Sequence, residues 1–443
     1  MAELVWKGKG SSPRRAAGGR RLTTDEIHGH APVGAWRNRL VAGDAAEALR
    51  SLLPELAGEV SLVYVDPPFD TGGDFDFLAT IPGAPEGTPR IAVPAYRDAR
   101  GLDAWLDWFH GVAATLRDLL ARGGSLYVHL DAHVAHYAKV LLDEVFGPEA
   151  FQREIVWRIG WVSGFKSRAR GWIRNHDTLL FYAKGGRPAV FHKEYVPYPP
   201  GYVRRDGQPP KGPGYPIEDV WNASELDRLD SIQIMSFSGE KVGYPTQKNE
   251  SLVARIVRAS SSPGDLVLDA FVGSGTTAVA AERLGRRWVA CDASPIAVHT
   301  TRKRLLAAGD PRPFVVQSVA ARPDGAARST RAASPLGARA RVEGRTCTIE
   351  LASFTPPARG EARKAGAHVA HWSQWLEGWC VDWDHQGGAL RVGTRAWRSR
   401  HRPELALELT HAYDRPGRYV ALVRAFDVLG GVATRAVAVR VAG

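Results

Sequence analysis

The sequence predicts an α/β layered domain followed by a smaller all-β domain, and three observations support this fold class. Up to about residue 310, short apolar runs alternate with segments whose apolar residues recur at helical spacing. The stretch 320–345 is rich in Ala, Arg, Ser and Gly, lacks periodicity and is therefore predicted to be a linker. Beyond it, apolar and polar residues alternate as in half-buried strands.

Each predicted element depends on a local pattern. Val60–Val65 is a continuous apolar run between turn residues, which predicts a buried strand. Asp103 begins a predicted amphipathic helix that stops before Gly123 and Gly124. The other predicted strands are 125–130, 178–182, 265–268 and 287–291, a further strand lies around Ile155, and helices are predicted within 40–56, up to Phe146, over 251–259, up to Leu284 and over 297–307.

In the last part of the chain, apolar residues alternate over 419–425 and over 437–441, with a turn at Gly430 and Gly431. This pattern predicts a β-hairpin. Large aromatic side chains dominate burial, so we expect the tryptophans of this region in its core. They are Trp372, Trp375, Trp379, Trp383 and Trp397.

The charge balance indicates an anionic partner. The 443 residues include 58 Lys and Arg against 47 Asp and Glu, a net charge of +11, and nucleic acid is the leading candidate. No apolar run approaches the roughly 18 residues of a membrane span. The basic segment 1–30 contains no apolar signal stretch, so we expect a disordered arm and a cytoplasmic, nucleoid-associated protein.

Cysteine usage excludes several chemistries. Cys291, Cys347 and Cys380 are too few and too scattered for a disulfide framework or a zinc site. Methylation at cytosine C5 needs a cysteine nucleophile, typically after a proline, and none of the three follows one. A pair such as His129 and Asp131 is more often structural than metal-binding, so we expect no metal.

A glycine turn over 268–277 joins a predicted strand to a predicted helix. Such a turn lets a ligand approach the backbone near a helix N-terminus. Asp292 ends the next predicted strand, about 20 residues on, where an acid can accept both ribose hydroxyls of a nucleoside. A purely structural turn is the plain alternative. A dinucleotide fingerprint would need a third glycine where Ala278 stands, and a phosphate loop would need a lysine before Ser or Thr.

The second motif, Asp66-Pro67-Pro68-Phe69, also follows a predicted strand. An exocyclic base amine is a poor nucleophile because its lone pair is delocalised into the ring. A carboxylate and a rigid backbone carbonyl can accept its two N–H bonds, and Phe69 can stack on a base extruded from the duplex. A rigid loop with a solvated aspartate is the plain alternative.

In combination these motifs resemble the amino-methylating DNA methyltransferases of the beta arrangement, in which the catalytic motif precedes the cofactor motif. The sequence is most similar to the adenine-specific, type III modification-subunit-like group over about residues 38–307. It departs at Asn249, where that family usually has proline. The stretches that carry the resemblance are 41–44, 64–72, 127–131, 244–248 and 259–277.

The resemblance implies a Rossmann-like sheet that binds S-adenosyl-L-methionine, with Asp66, Pro67, Pro68 and Phe69 as the catalytic loop. It places Asp44 near the adenine of the cofactor and 246–248 near its methionine end. The cofactor-binding residues that it implies are Asp44, Thr246, Gln247, Lys248, Asp269, Phe271, Gly273, Gly275, Thr276 and Asp292.

The segment 161–239, rich in Pro, Gly and Tyr in its second half, is by family position the expected target-recognition insertion. Around the beginning of this segment, basic residues alternate with Trp157, Trp161, Phe165 and Trp172, a mixture suited to phosphate contact and base stacking. The plain alternative is a tryptophan core with a solvated basic face. The candidate DNA-binding residues are Arg158, Lys166, Arg168, Arg170 and Arg174.

The expected domains are therefore a catalytic domain over 31–160 and 240–310, the insertion, the linker, and a C-terminal domain over 346–443. That last domain resembles a PKD-type sandwich, a module that binds or spaces. The expected function is site-specific N6-adenine methylation of double-stranded DNA within restriction-modification. N4-cytosine methylation and a non-catalytic DNA-binding subunit stay open, and a restriction subunit or a second copy is a further candidate partner.

Overall fold

The computed structural model describes residues 3–10, 19–158, 170–222, 238, 240–307, 309–320, 336–356, 361–399 and 402–442. Within these ranges no helix combines the length and apolar character needed to cross a membrane. Up to residue 320 the elements in chain order are β1 (Leu22–His28), β2 (Asn38–Ala42), α1 (Ala45–Leu56), β3 (Val60–Val65), β4 (Gly73–Ala79), β5 (Ile91–Asp98), α2 (Leu102–Leu119), β6 (Leu120–Leu130), α3 (Ala135–Phe146), β7 (Phe151–Arg158), β8 (His176–Ala183), β9 (Tyr195–Val196), β10 (Tyr215–Pro216), β11 (Val220–Trp221), α4 (Glu250–Ser260), β12 (Leu266–Asp269), α5 (Thr276–Arg283), β13 (Arg287–Asp292), α6 (Pro295–Ala307) and β14 (Phe314–Val319). Beyond it they are β15 (Leu336–Glu343), β16 (Thr346–Phe354), α7 (Glu361–Gly366), β17 (Leu376–Asp382), β18 (Leu390–Val392), β19 (Thr394–Trp397), β20 (Glu408–Ala412), β21 (Gly417–Asp427) and β22 (Val432–Val441).

Eleven of the described strands form one sheet, in the order β11-β7-β8-β6-β3-β12-β13-β2-β14-β1-β18. The central strands from β6 to β14 pair parallel. Antiparallel pairing appears only towards the two edges, where β8 joins β6 and β7 and where β1 joins β14. Because parallel strands end on the same side, β3, β12, β13 and β2 deliver their following residues to one edge of the sheet.

Helices cover both faces of this sheet. Helices α1, α2 and α3 share one apolar cluster with the strands, and α4, α5 and α6 share the other. Strand β3 shows why its sequence is continuously apolar, since Val63 and Val65 belong to the first cluster while Leu62 and Tyr64 belong to the second. The predicted α/β layered fold is confirmed.

The N-terminal segment differs from the expected disordered arm over 1–30. Leu22–His28 forms β1 and pairs with β14, and Trp6 is only 7% exposed within the first apolar cluster. The basic composition of this segment led to the prediction of disorder, although the segment contains a strand. Its Glu26 is buried and contacts cationic side chains, as described below. The expectation of disorder is wrong for these residues.

Three further boundaries move. The parallel sheet extends past residue 310, because β14 pairs with β2. The predicted linker 320–345 overlaps β15, which begins at Leu336. The predicted insertion 161–239 contains β8, which pairs with β6 and so belongs to the scaffold. Each of these strands forms by backbone pairing with a segment far away in the sequence. Local composition does not indicate such pairing.

The C-terminal part consists of two antiparallel sheets, β15-β16-β20 and β19-β17-β21-β22, around a shared apolar core. The predicted hairpin is present as β21 and β22. Trp375, Trp379 and Trp383 are at most 5% exposed, which confirms the expected core role for these three. The Tyr413 hydroxyl donates to the Trp383 carbonyl at 2.8 Å and ties the two sheets together.

Candidate active site

Four acidic side chains lie at the ends of adjacent parallel strands. Asp66 follows β3, Asp269 and Asp292 end β12 and β13, and Asp44 lies two residues beyond β2. They line one cavity of about 340 Å³. The structure brings all the predicted catalytic residues and all the predicted cofactor residues except Gly275 to this cavity.

The glycine turn leaves no room for side chains. Gly273 has a φ of 50°, and a Cβ there would lie 3.2 Å from a ring carbon of Tyr244. Gly275 has a φ of 88°, and a Cβ there would lie 2.8 Å from the Thr301 hydroxyl on α6. Gly273 therefore presents its backbone to the cavity, whereas Gly275 permits close packing of α6 against the turn, which differs from its expected place beside the cofactor.

Asp269 and Asp292 hold this turn in shape. Asp269 accepts hydrogen bonds from the Phe271 amide at 2.9 Å and the Thr277 hydroxyl at 2.6 Å. Asp292 accepts from the Gly273 amide at 2.9 Å and the Ser294 amide at 2.8 Å. The Ala293 amide is a third donor to this carboxylate, and since a carboxylate offers about four lone-pair sites, one remains for a ligand hydroxyl.

Both carboxyls are perturbed towards the neutral form. Burial raises the pKa of Asp269 to about 7, and the charges of Asp66 and Asp292 add to this effect. Burial likewise raises the pKa of Asp292 to about 6, against the stabilising backbone amides. A cationic ligand in the cavity would favour their ionised forms.

Asp44 begins α1 as its N-cap. Its Oδ1 accepts from the Ala46 amide at 3.1 Å and the Glu47 amide at 3.4 Å. The preceding Gly43 amide donates to the Asp292 carbonyl at 2.9 Å, so the ends of β2 and β13 are held side by side. This explains why the expected partners of one ligand lie together despite their separation in sequence.

The catalytic loop is held by bonds from outside it. The Trp105 indole donates to the Pro68 carbonyl at 2.6 Å. Asp98, 2% exposed, accepts from the amides of Asp70 at 2.7 Å and Thr71 at 3.1 Å, and from the Thr71 hydroxyl at 2.7 Å. Since the Pro68 carbonyl is bound by Trp105, the Pro67 carbonyl is the remaining candidate in the proline pair for the rigid carbonyl acceptor that the motif predicts.

Asp66 itself has one bound and one unbound oxygen. Its Oδ2 lies 2.8 Å from the Lys248 ammonium. Its Oδ1 is buried and has no hydrogen-bond partner among the residues that the structure describes. Lys248 also lies over the ring of Phe69, with its nitrogen 5.3 Å from the ring centre. The loop therefore presents a carboxylate oxygen and an aromatic face beside each other.

The loop 246–248 differs in part from its expected role. Lys248 is 9% exposed and pairs with Asp66. Gln247 serves its own loop, because its amide donates to the Glu240 carbonyl at 2.7 Å and accepts from the Val242 amide at 3.0 Å. Asn249, where the family usually has proline, is the N-cap of α4 and accepts from the Leu252 amide.

Three tyrosines that were absent from the predicted site also line the cavity, namely Tyr64, Tyr96 and Tyr244. Tyr244 lies against the glycine turn, and Tyr96, on β5, shares a hydroxyl contact of 3.0 Å with Thr246. Tyr244 stands at the head of the 244–248 stretch, a signal that was available. Tyr96 had no such signal, because only the pairing of β4 with β5 brings it to the cavity.

A buried polar chain leads away from the cavity. The Tyr64 hydroxyl lies 2.9 Å from Nδ1 of His129, whose Nε2 lies 3.3 Å from Asp177. Burial opposes ionisation of Asp177, but His129, Lys248 and Arg174 outweigh it and lower its pKa to about 2. Over the described part of the chain, no group of three or more His, Cys, Asp or Glu is arranged to hold a metal ion.

The predicted DNA-binding residues lie in different environments. Arg158 ends β7 and Arg170 is exposed, as a phosphate contact requires. Arg174 instead forms ion pairs with Asp177 and, at 3.7 Å, with Asp131. Lys166, Arg168, Trp161 and Phe165 lie outside the described residues.

The two described tryptophans of that mixture have opposite environments. Trp172 is fully exposed, which leaves its ring available for stacking. Trp157 is fully buried within β7, so the stacking interpretation is wrong for it. Its neighbours Val156 and Arg158 are more exposed, because the end of β7 buries alternate side chains, Ile155 and Trp157.

Comparisons with known proteins agree with this geometry. A family model described as DNA methylase, for N6 and N4 enzymes, matches residues 60–303, more than half of the chain. The chain is 30% identical to the type II methyltransferase M.EcaI of Enterobacter cloacae over 327 residues, covering 60% of this chain and 69% of that protein. It is 26% identical to the DNA adenine methyltransferase YhdJ of Escherichia coli K12 over 284 residues, covering 60% and 82%.

Two solved structures show limited similarity to the chain. An M1.HpyAVI–SAM complex is 21% identical, covers 60% of this chain and 100% of its own, and gives a TM-score of 0.38. The PKD1 domain of the Vibrio cholerae metalloprotease PrtV is 13% identical, covers 25% and 99%, and gives 0.16. On its sequence match and its site, the chain belongs to the DNA methylase family of S-adenosyl-L-methionine-dependent N6 and N4 amino-methyltransferases.

Proposed function

We propose that this DNA methyltransferase transfers a methyl group to N6 of adenine in double-stranded DNA. The observation that carries the proposal is the Asp66 carboxylate, whose Oδ1 is buried at the cavity without a hydrogen-bond partner among the described residues. An unpaired buried carboxylate oxygen is costly unless a ligand supplies a donor. The N–H of a base amine is such a donor.

The other end of the cavity fits S-adenosyl-L-methionine. The Gly273 backbone lines it without a side chain, Asp292 retains a lone pair for a ribose hydroxyl, and Asp44 can accept from the adenine amine. The Asp269 and Asp292 carboxyls give this region a potential that suits a cation. When bound, the cofactor supplies an electrophilic methyl group on a positively charged sulfur.

The residues of the loop then activate the amine. Asp66 and the Pro67 carbonyl accept its two N–H bonds, which draws the nitrogen lone pair out of ring conjugation and aims it in line at the methyl group. Phe69 stacks on the extruded base. As the N–C bond forms, the bond from the methyl carbon to the cofactor sulfur would break and leave a neutral thioether, and the amine would lose one proton, which Asp66 accepts. Cys291, Cys347 and Cys380 are all buried, so none serves as a covalent nucleophile.

Adenine is favoured over cytosine by two observations. The catalytic motif begins with Asp66, and in this family aspartate rather than serine before the two prolines accompanies adenine substrates. A relative with 26% identity is named as a DNA adenine methyltransferase. N4-cytosine methylation is the second candidate, because the family model includes both amines and the same acceptors serve either.

We further propose that DNA is contacted by Arg158 at the end of β7 and, within the basic insertion, by Arg170 and the exposed Trp172. Modification within a type III-like system, with a restriction subunit or a second copy as partner, is consistent with the resemblance described above. Such an enzyme would act on the nucleoid in the cytoplasm.

The test is transfer of labelled methyl from S-adenosyl-L-methionine to unmethylated genomic DNA, followed by nucleoside analysis. We expect label in N6-methyladenine, and label in N4-methylcytosine would establish the second candidate instead. Asp66→Asn should lower kcat by about 100-fold or more. Asp118→Asn, at an exposed pair with Arg117, is the matched control. Full activity in folded Asp66→Asn would contradict the mechanism.

A further inference from the structure

The hairpin formed by β4 and β5 connects the cavity to the C-terminal domain. At its base, Ala95, Tyr96 and Arg97 line the cavity. Towards its tip, Ala79, Ile81, Ile91 and Val93 are at most 7% exposed and belong to the apolar core of the C-terminal sheets. One hairpin is therefore shared between two folding units.

The buried residues of β5 lie on one face. Ile91, Val93 and Ala95 alternate with exposed residues. The first two pack into the C-terminal core, and Ala95 packs with Tyr244 and Ile296 beside the cavity. A displacement of the tip would therefore be transmitted along a single packed row to the cavity wall.

The last residue of β5 controls the catalytic loop. Asp98 accepts three hydrogen bonds from Asp70 and Thr71, directly after Phe69. Asp70 adopts a φ of 58° and its carboxylate accepts from the Arg100 amide at 2.7 Å. A left-handed aspartate persists only where its surroundings hold it, and here the surroundings are the end of β5 and the residues after it.

The C-terminal domain is itself anchored to the catalytic sheet. Strand β18 extends the sheet by parallel pairing with β1. Buried Glu26 on β1 lies 3.1 Å from Arg302 on α6 and 3.2 Å from Arg424 on β21. Gly430 packs against Ile296 so closely that a Cβ there would lie 3.0 Å from its Cδ1. The domain thus contacts the catalytic scaffold directly as well as through the hairpin.

A directed contact joins the tip to the domain. The Gln374 side-chain amide donates to the Pro82 carbonyl at 2.9 Å. In contrast, Leu78 on the same hairpin is 44% exposed and is absent from the described core. The hairpin therefore offers both a supported position and a matched unsupported one.

We propose that the C-terminal β domain is a positioning element of the catalytic centre, which holds the β4–β5 hairpin so that Asp98 sets the catalytic loop and Tyr96 stays in the cavity wall. This role rests on the proposed methyl transfer for its kinetic consequence, but its structural part does not. A module that only binds DNA or separates partners would leave the hairpin and the loop unaffected.

The experiment uses the full chain with Ile91→Ser, the milder Gln374→Ala, and Leu78→Ser as control. We expect kcat to fall by about tenfold or more in Ile91→Ser and by less in Gln374→Ala, with the KM for DNA nearly unchanged. Loss of the buried Ile91 side chain also lowers the urea midpoint of unfolding, so rates are compared without urea, where the variants are folded, and Gln374→Ala should nearly keep the parent's midpoint. The control should match the parent. A raised KM with an unchanged kcat would overturn the proposal in favour of DNA binding by the domain.

Amide hydrogen exchange separates this proposal from the function on which it rests. The amides of Asp70 and Thr71 donate to Asp98, so their exchange should accelerate in Ile91→Ser and Gln374→Ala and stay unchanged in Leu78→Ser. Inactive parent protein would contradict the proposed function, and this readout would still decide the positioning role. Unchanged exchange in both interface variants would overturn that role even in an active enzyme.

Discussion

Replacing Lys248 by methionine tests the ion pair at the centre of the site. The ammonium and Asp66 Oδ2 are 2.8 Å apart, and the two side chains are only 10% and 17% exposed. Methionine conserves most of the volume and removes the charge. Lys241→Met, on the same loop but exposed, is the matched control.

The magnitude follows from the geometry. At 2.8 Å and an effective dielectric constant of about 20, the attraction is roughly 6 kcal/mol, and desolvation of both groups offsets much of it. The catalytic loss is smaller, because it is the loss of one well-oriented hydrogen bond to a charged acceptor, about 1.5–3 kcal/mol. This corresponds to a decrease in kcat of roughly 10- to 150-fold.

Single-turnover methyl transfer and calorimetric binding of S-adenosyl-L-methionine are the two assays. The Lys248 ammonium is bound to Asp66, so we expect the Kd of the cofactor to change by less than about threefold in Lys248→Met. A change of that size corresponds to the loss of no more than one weak contact. Lys248→Arg should restore part of the rate because it restores the charge. An unchanged rate with clearly weakened cofactor binding would refute the pairing and restore the sequence-derived assignment of Lys248 to the methionine end.

Three further perturbations have defined outcomes. The raised pKa values of Asp269 and Asp292, about 7 and about 6, mean that the folded protein binds more protons than the unfolded chain, so the free energy of unfolding of the ligand-free protein should fall as pH rises from about 4 to 7. Because the same two carboxyls ionise over this range, the affinity for S-adenosyl-L-methionine should rise between pH 6 and 8. The rise should be smaller for S-adenosylhomocysteine, which lacks the sulfonium charge. Equal pH dependence of the two affinities in calorimetry would contradict the electrostatic account. Burial opposes ionisation of Glu26, yet Arg302, His28 and Arg424 hold its pKa well below its usual value, so its stabilisation is present above about pH 4.5 and is lost below it. Glu26→Gln should therefore lower the free energy of unfolding at pH 7 by about 3 kcal/mol in urea titrations, and a deficit that persists undiminished at pH 3 would be inconsistent with this sign. Arg158→Gln should weaken DNA binding at all sequences and reduce the salt slope of log K by about 1 in fluorescence anisotropy, whereas a slope equal to that of the parent would remove Arg158 from the phosphate contacts.

The local motifs were readable because they depend on short-range patterns. The apolar run Val60–Val65 predicts a strand buried on both faces, and the structure shows its side chains divided between two apolar clusters. The residues after such a strand must lie at the edge of the sheet, where Asp66 and the glycine turn do lie. The order of these motifs and their residue types were sufficient to predict the family and its chemistry.

Side-chain roles were less accessible. Trp157 and Trp172 have the same residue type in the same basic segment, yet one is fully buried and the other fully exposed. Gly275 matches a cofactor motif, but the close approach that it permits is that of α6. Composition and spacing report what a residue can do, whereas its neighbours decide what it does.

The sequence by itself determined that an α/β domain precedes an all-β domain and that Asp66, Asp269 and Asp292 lie at strand ends. It also determined the amine-methylating chemistry. Only the tertiary structure decided that Lys248 pairs with Asp66, that Asp98 holds the catalytic loop, and that the C-terminal domain packs on the active-site hairpin. Periodicity reports which face of an element is buried. Contacts between segments far apart along the chain depend on strand order and on cross-domain packing, and no local pattern encodes them.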